Sequence, residues 1–235
     1  TLVENELIFI YLNAASSNIE HDFQEIAAFE CEPWSTSEFQ TRPKIKLAIH
    51  KDEYLNKVDQ VLKYIRRGLI YEVNIWQEFY VKDNGIQPLR TYKNLNTISK
   101  PPFAAFLKWN NNYALCASPE RYLKRMGNTV ISQPIKGTAA RSLDPLEDER
   151  LRSSLKEDPK EQAENVMIVD LVRNDLSKRS RKGSVTVEEL FGLYTFEQVH
   201  QMVSTVKADF DKSIDAVDII KDSFPMGSMT GAPKI

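Results

Sequence analysis

Four strand-length segments follow one another between residues 103 and 135, with only two or three residues between them. They read FAAFLKW (103–109), YALCAS (113–118), RYLKRM (121–126) and TVISQPI (129–135). The joints are Asn110-Asn111-Asn112, Pro119-Glu120 and Gly127-Asn128, residue types that favour tight reversals. Parallel neighbours need a crossover of a dozen or more residues. This stretch is therefore expected to fold as an antiparallel meander. Helical patterns lie on either side. Residues 52–67 place Tyr54, Leu55, Val58, Leu62 and Ile65 at helical spacing, with Gly68 as C-cap. Residues 160–176 predict a second long helix with an apolar stripe of Ala163, Val166, Met167, Val169, Leu171 and Leu176. Residues 213–224 predict a third helix, capped by Ser213. LIYEVNIWQEFYV (69–81) alternates, with Glu72, Asn74, Trp76 and Glu78 on one face. VTVEEL (185–190) and HQMVSTVKADF (200–210) read as further strands. Hairpins separated by long helices predict an α+β fold rather than a doubly wound parallel sheet.

Composition narrows the function classes. A net charge of −2 over 235 residues gives no global field for nucleic acid or an anionic membrane, so a small anionic substrate must be met by local charges. Cys31 and Cys116 are too few for a disulfide framework or a cysteine-rich zinc site. No apolar run approaches the roughly 20 residues of a membrane span. Glu4 and Glu6 stand where a signal peptide carries basic residues, so the expected compartment is the cytoplasm.

The chemistry-bearing residues are scattered. Lys136, in SQPIKGTAAR, follows the last strand of the meander and precedes Gly137 and Thr138. Such a lysine either reaches solvent or, if desolvated, becomes an amine nucleophile. Gly137 would allow a ligand to approach the backbone. Glu157, Glu161 and Glu164 fall at i, i+4 and i+7, a face suited to Mg²⁺ or to pairing with Lys156 and Lys160. PMGSMTGAPK (225–234) reads as a Gly-rich loop entering a helix near Pro233, an anion cradle or a tight turn. His200 reads as a hydrogen-bonded residue or a donor to an anion, and Glu120 as an exposed turn residue.

Taken in order, ASPERYL, SQPIKGTAAR, DPLEDE, EQAENVMIVDLVRNDL, VHQMVSTV and FPMGSMTGAPK resemble the chorismate-utilising enzymes over about residues 68–235. The resemblance implies two packed antiparallel sheets flanked by helices, in a single chorismate-binding domain over 1–235 whose family pattern continues past Ile235. Lysine in PIKGT is the mark of the aminodeoxychorismate branch; the anthranilate branch usually has alanine there. For that branch the resemblance implies that Lys136 would attack ring C2 of chorismate as the C4 hydroxyl leaves, and that ammonia would then add at C4 and expel the lysine. The family pattern makes Glu120 the acid/base residue and puts His200 near the substrate carboxylate. It makes Glu164 a Mg²⁺ ligand with Glu161 beside it. Thr138, Gly137, Gly231, Thr230 and Lys234 correspond to substrate contacts. Glu72 stands where water-adding relatives carry a lysine base and amino-adding relatives often carry glutamine. The resemblance further implies a glutamine amidotransferase subunit as the ammonia source. The rival readings are anthranilate synthesis and a non-catalytic chorismate-binding module.

Overall fold

The computed structural model describes residues 44–82 and 86–234, together with His21, Gln24, Glu25 and Ala28 in helical conformation. Glu4, Glu6, Cys31 and Ile235 lie outside the described residues. The chain runs β1 (Lys46–Leu47), α1 (Lys51–Arg66), β2 (Glu72–Val73), β3 (Phe79–Tyr80) and α2 (Pro88–Ser99). It continues through β4 (Phe103–Trp109), β5 (Asn112–Ser118), β6 (Arg121–Met126), β7 (Thr129–Gln133) and β8 (Ile135–Ala140). Then come α3 (Pro145–Glu157), α4 (Pro159–Ser177), β9 (Thr186–Thr195), β10 (Val199–Asp209), α5 (Ala216–Ser223), α6 (Gly227–Thr230) and β11 (Gly231–Ala232).

All described strand pairs are antiparallel, as the short joints require. β10 is the spine of a five-stranded sheet, with β9 along one edge. Its other edge is shared. β7 pairs with residues 206–209 and β8 with residues 199–203. The segment 129–135, read from sequence as one strand, is thus cut at Pro134, which has no N–H to give to a ladder. The Pro134 carbonyl still accepts the Ser204 N–H at 3.1 Å. β6 closes the outer side of β7. The remaining strands form two-stranded pairs, β1–β3, β2–β11 and β4–β5, so the expected meander is split at Pro119-Glu120 into two hairpins, and β5 does not pair with β6. α2 packs on the last of these through Tyr92 and Phe106, whose rings lie 5.5 Å apart.

The core lies between one face of the sheet and α4. Val130, Val206, Ala208 and Phe210 meet Ile168, Val169, Val172 and Leu176, with Ile219 of α5 closing one end. The buried face of α4 also carries Asn165 and Asp175, so it is rotated from the predicted stripe, and Ala163 and Val166 are exposed. Two polar residues on the inner face hid its periodicity. The opposite face of the sheet, with Ile131, Gln133, Tyr194 and Thr205, lines two clefts of about 220 and 330 Å³.

Several local readings change. In α1 the half-buried residues are Tyr54, Val58, Val61 and Ile65, while Leu55 and Leu62 are exposed. Gly68 follows it at φ +70 as expected. The cap of α5 is Asp215, whose carboxylate accepts the Val217 N–H at 2.7 Å, rather than Ser213. α2 and α3 form where no helix was predicted, each with a proline in its first turn. Within 69–81 only Glu72–Val73 and Phe79–Tyr80 are strand, because each finds a partner only in a distant segment.

Candidate active site

Lys136 does not end a strand; it lies inside β8, at an irregularity. Ile135 faces Val203 and Thr138 faces Gln201, so three steps on β8 match two on β10. The extra residue is a bulge at Lys136-Gly137, opposite Met202. Gly137 takes φ +94, a conformation that disfavours a side chain. Such bulges re-aim a side chain. They also leave carbonyls unpaired, and here Asn165 of α4 meets them. Its Nδ2 donates to the Lys136 and Met202 carbonyls, each at 3.4 Å, and its Oδ1 accepts the Ser204 hydroxyl at 2.5 Å.

The Lys136 side chain is only 13% exposed and ends on two residues of the β2 segment. Nζ lies 2.5 Å from Glu72 Oε1 and 3.4 Å from Asn74 Oδ1. The solvent-reaching alternative for this lysine is excluded. Asn74 is held by the loop that precedes β11. Its Nδ2 donates to the Ser228 carbonyl at 2.9 Å and its backbone N–H to the Thr230 carbonyl at 3.0 Å. Gly231 pairs with Val73 so closely that an added Cβ would lie 2.2 Å from the Glu72 carbonyl oxygen. The 225–234 segment is therefore not a loop entering a helix at Pro233. It forms the short helix α6, then a strand that clamps β2 in place.

Glu120 joins this group from the β5–β6 turn. It is half-buried rather than exposed, and its Oε1 accepts the Ile135 N–H at 3.0 Å. Burial pushes its carboxyl above the usual value; the neighbouring Ser228 hydroxyl, the Ile135 N–H and the Lys136 ammonium oppose that shift without cancelling it. A raised carboxyl beside an ion-paired amine can hold a proton that the amine's partner does not take.

α4 borders the other side. An added Cβ on Gly137 would come within 3.2 Å of Glu161 Oε2 and of Leu155, so a side chain of this protein fills the space expected for ligand. Glu161 and Glu164 share one cation: Lys160 Nζ lies 3.0 and 2.9 Å from their carboxylates. Those carboxylates, Glu164 first, hold the Lys160 ammonium well above the usual lysine value. Two hard carboxylates converging on one cation fit a Mg²⁺ that keeps several waters. Among the described residues no group of three or more metal-ligating side chains occurs. Glu157 is not on this face; it ends α3, and Asp158-Pro159 starts a new helix.

The remaining candidates stand apart from Lys136. His200 is 1% exposed and opposes Ala139. Its Nε2 meets Asp148 Oδ1 and its Nδ1 the Thr195 hydroxyl, both at 2.9 Å. Neither ring nitrogen is left for a substrate in this arrangement. Asp148 is well suited to hold it, since Arg141, the Ser142 N–H and His200 together keep its carboxyl well below the usual range. Thr138 is exposed, across from Gln201. The Thr230 hydroxyl turns back to the Met226 and Gly227 carbonyls at 3.4 Å. Lys234, expected at the substrate, instead pairs with Asp175 and donates to the Ser223 carbonyl at 2.6 Å, joining α4 to α5. Asn74, Asn165 and Asp148 were missed. The one available signal was Glu72 and Asn74 as adjacent polar residues on one strand face.

The chain belongs to the family of chorismate binding enzymes, which it matches over residues 6–235. It is 43% identical over 188 residues to the probable chloroplastic aminodeoxychorismate synthase of Oryza sativa subsp. japonica, covering 79% of this chain and 21% of that protein. It is 39% identical over 185 residues to aminodeoxychorismate synthase component 1 of Klebsiella aerogenes, covering 79% of this chain and 41% of that one. Its fold superposes on anthranilate synthase component I from Streptococcus pneumoniae TIGR4 with a TM-score of 0.74 at 27% identity, over 92% of this chain and 47% of the other. The chain thus spans less than half the length of these proteins.

Proposed function

We propose that this chain is a chorismate-binding domain carrying the amine nucleophile of an aminodeoxychorismate synthase. Chorismate and ammonia would become 4-amino-4-deoxychorismate, on the route to p-aminobenzoate and folate. The observation that carries the reading is Lys136 itself: an amine aimed by a bulge, 13% exposed, paired with Glu72 at 2.5 Å and close to Glu120, whose carboxyl burial raises. Curated relatives at 39–43% identity bear the same activity in their names.

Lys136 Nζ attacks C2, the ring double bond shifts, and the C4 hydroxyl departs as water with the proton held by Glu120. Covalent attachment splits one difficult displacement into two easier ones. Ammonia then adds at C4 and the lysine leaves C2. Glu161 and Glu164 would hold Mg²⁺, whose charge, when bound, offsets the carboxylates of a dianionic substrate. Glu161 packs over Gly137, so that charge would lie beside the backbone of the nucleophile. The name "component 1" borne by the bacterial relative supports a second component here, an amidotransferase supplying ammonia. No described helix is long and apolar enough to cross a membrane, and a cytoplasmic location is part of this reading.

The test is intact-mass analysis of the full-length protein mixed with chorismate and Mg²⁺ without ammonia. An adduct on wild type, absent from Lys136→Ala, is the expected result, with turnover falling at least about 100-fold in the variant. Unchanged formation of 4-amino-4-deoxychorismate by Lys136→Ala removes the nucleophile. Release of anthranilate and pyruvate instead selects the rival activity of the S. pneumoniae structure.

A further inference from the structure

An ammonium has no lone pair, so Lys136 must lose a proton before it can attack. Three polar or acidic side chains face it, Asn74, Glu120 and Glu72, and Glu161 lies against the neighbouring Gly137. Asn74 is an amide and takes no proton. Glu120 has its carboxyl pushed up by burial, and its Oε1 already accepts the Ile135 N–H. Glu161, over Gly137, is committed to Lys160. Glu72 remains, 12% exposed, with Oε1 2.5 Å from Nζ. Its other oxygen, Oε2, is buried and has no hydrogen-bond partner among the described residues. A buried carboxylate oxygen left this way normally costs stability. It also means that no second donor competes for the charge, so a proton arriving from the lysine displaces no other bond.

We infer that Glu72 is the proton acceptor that arms Lys136 and the donor that restores it. This rests on Lys136 acting as the nucleophile proposed above. In the first step the ammonium proton passes to Glu72, leaving a neutral amine and a neutral carboxyl. The amine forms the bond to C2 and becomes a secondary ammonium, while C4–O breaks and water leaves with the Glu120 proton. Ammonia forms the bond to C4, C2–N breaks, and Lys136 leaves as an amine. Glu72 returns its proton to that amine, and the new C4 ammonium reprotonates Glu120. Two carboxyls thus work in opposite senses within one site, Glu120 as proton donor to the leaving group and Glu72 as acceptor from the lysine.

The experiment is the rate of adduct formation with chorismate and Mg²⁺, without ammonia, measured by rapid quench and mass spectrometry on the full-length protein. Wild type, Glu72→Gln and Glu72→Ala are compared between pH 6.5 and 9.5. We expect Glu72→Gln to slow adduct formation about 100-fold at pH 7. The rate should recover about tenfold per pH unit as solvent hydroxide takes over, while wild type stays nearly flat. Formate should restore Glu72→Ala at least tenfold, by supplying a carboxylate in the vacated space. Relief by pH or by formate supports proton transfer and separates it from mere support of the lysine. An unchanged rate in Glu72→Gln overturns the inference, as does a loss that neither pH nor formate relieves. If wild type itself forms no adduct, the nucleophile reading fails and this inference falls with it. An adduct indifferent to Glu72 sinks only the present one.

Discussion

Glu120 and Lys136 are neighbours that burial treats differently. The lysine keeps a charged partner in Glu72, whereas Glu120 is pushed toward its neutral form by desolvation. That shift has a thermodynamic sign. A carboxyl raised in the folded state binds its proton more tightly there than in the unfolded chain. Its contribution is fully present below the unfolded value near pH 4.5 and is lost as pH rises through the raised folded value. Glu120→Gln keeps the acceptor for the Ile135 N–H but cannot ionise. Its Tm should therefore match wild type near pH 4 and exceed it at pH 8. A thermal melt series across that range checks it, and a gap that narrows with rising pH would contradict the burial argument. The same residue shows a limit of local reading. A Pro-Glu pair between two strands has every mark of an exposed turn, and only the approach of β8 from elsewhere buries it.

Among elements, α4 does the most to build the site. Asp158 caps it by accepting the Lys160 and Glu161 N–H groups at 2.8 and 3.3 Å, which fixes where its first turn begins. From that start, Glu161 falls beside Gly137 and Glu164 shares Lys160 with it, while Asn165 points into the sheet at the bulge. The helix itself was legible: the predicted 160–176 became Pro159–Ser177. Its buried face was not, since Asn165 and Asp175 belong to the core only because distant groups satisfy them. Lys160, 70% exposed, pairs with both carboxylates, and in the proposed reading Mg²⁺ would have to displace it. Glu164→Gln removes one of the two charges. It should raise the Mg²⁺ concentration for half-maximal adduct formation about tenfold, read from a metal titration at saturating chorismate. A superimposable titration would reassign that ligand.

At the scale of the whole molecule, the site depends on pairing across most of the chain. β2 has no sequence neighbour to lean on; it is fixed by β11, with the Tyr71 N–H donating to the Ala232 carbonyl at 2.8 Å and the Asn74 N–H to that of Thr230. Gly231 sits at φ +138 and ψ −169, a region essentially reserved for glycine. Gly231→Ala should cost about 1–3 kcal/mol from backbone conformation alone, with a further clash against Glu72. It should also detach β2, so that amide exchange at Tyr71 and Asn74 accelerates and adduct formation falls although Lys136 is intact. Unchanged protection of those two amides would show that β2 is held by something else. The sequence by itself determined the hairpins β4–β5 and β6–β7 and the two long helices, because turn chemistry and periodicity are local properties, but not that β5 and β6 would part into different sheets. Tertiary structure alone decided that Lys136 faces Glu72 rather than water, that His200 is spent on Asp148 and Thr195, and that Lys234 is a brace. Each of those outcomes depends on which distant segment arrives beside a side chain, and that is set by packing of the whole chain rather than by its neighbours in sequence.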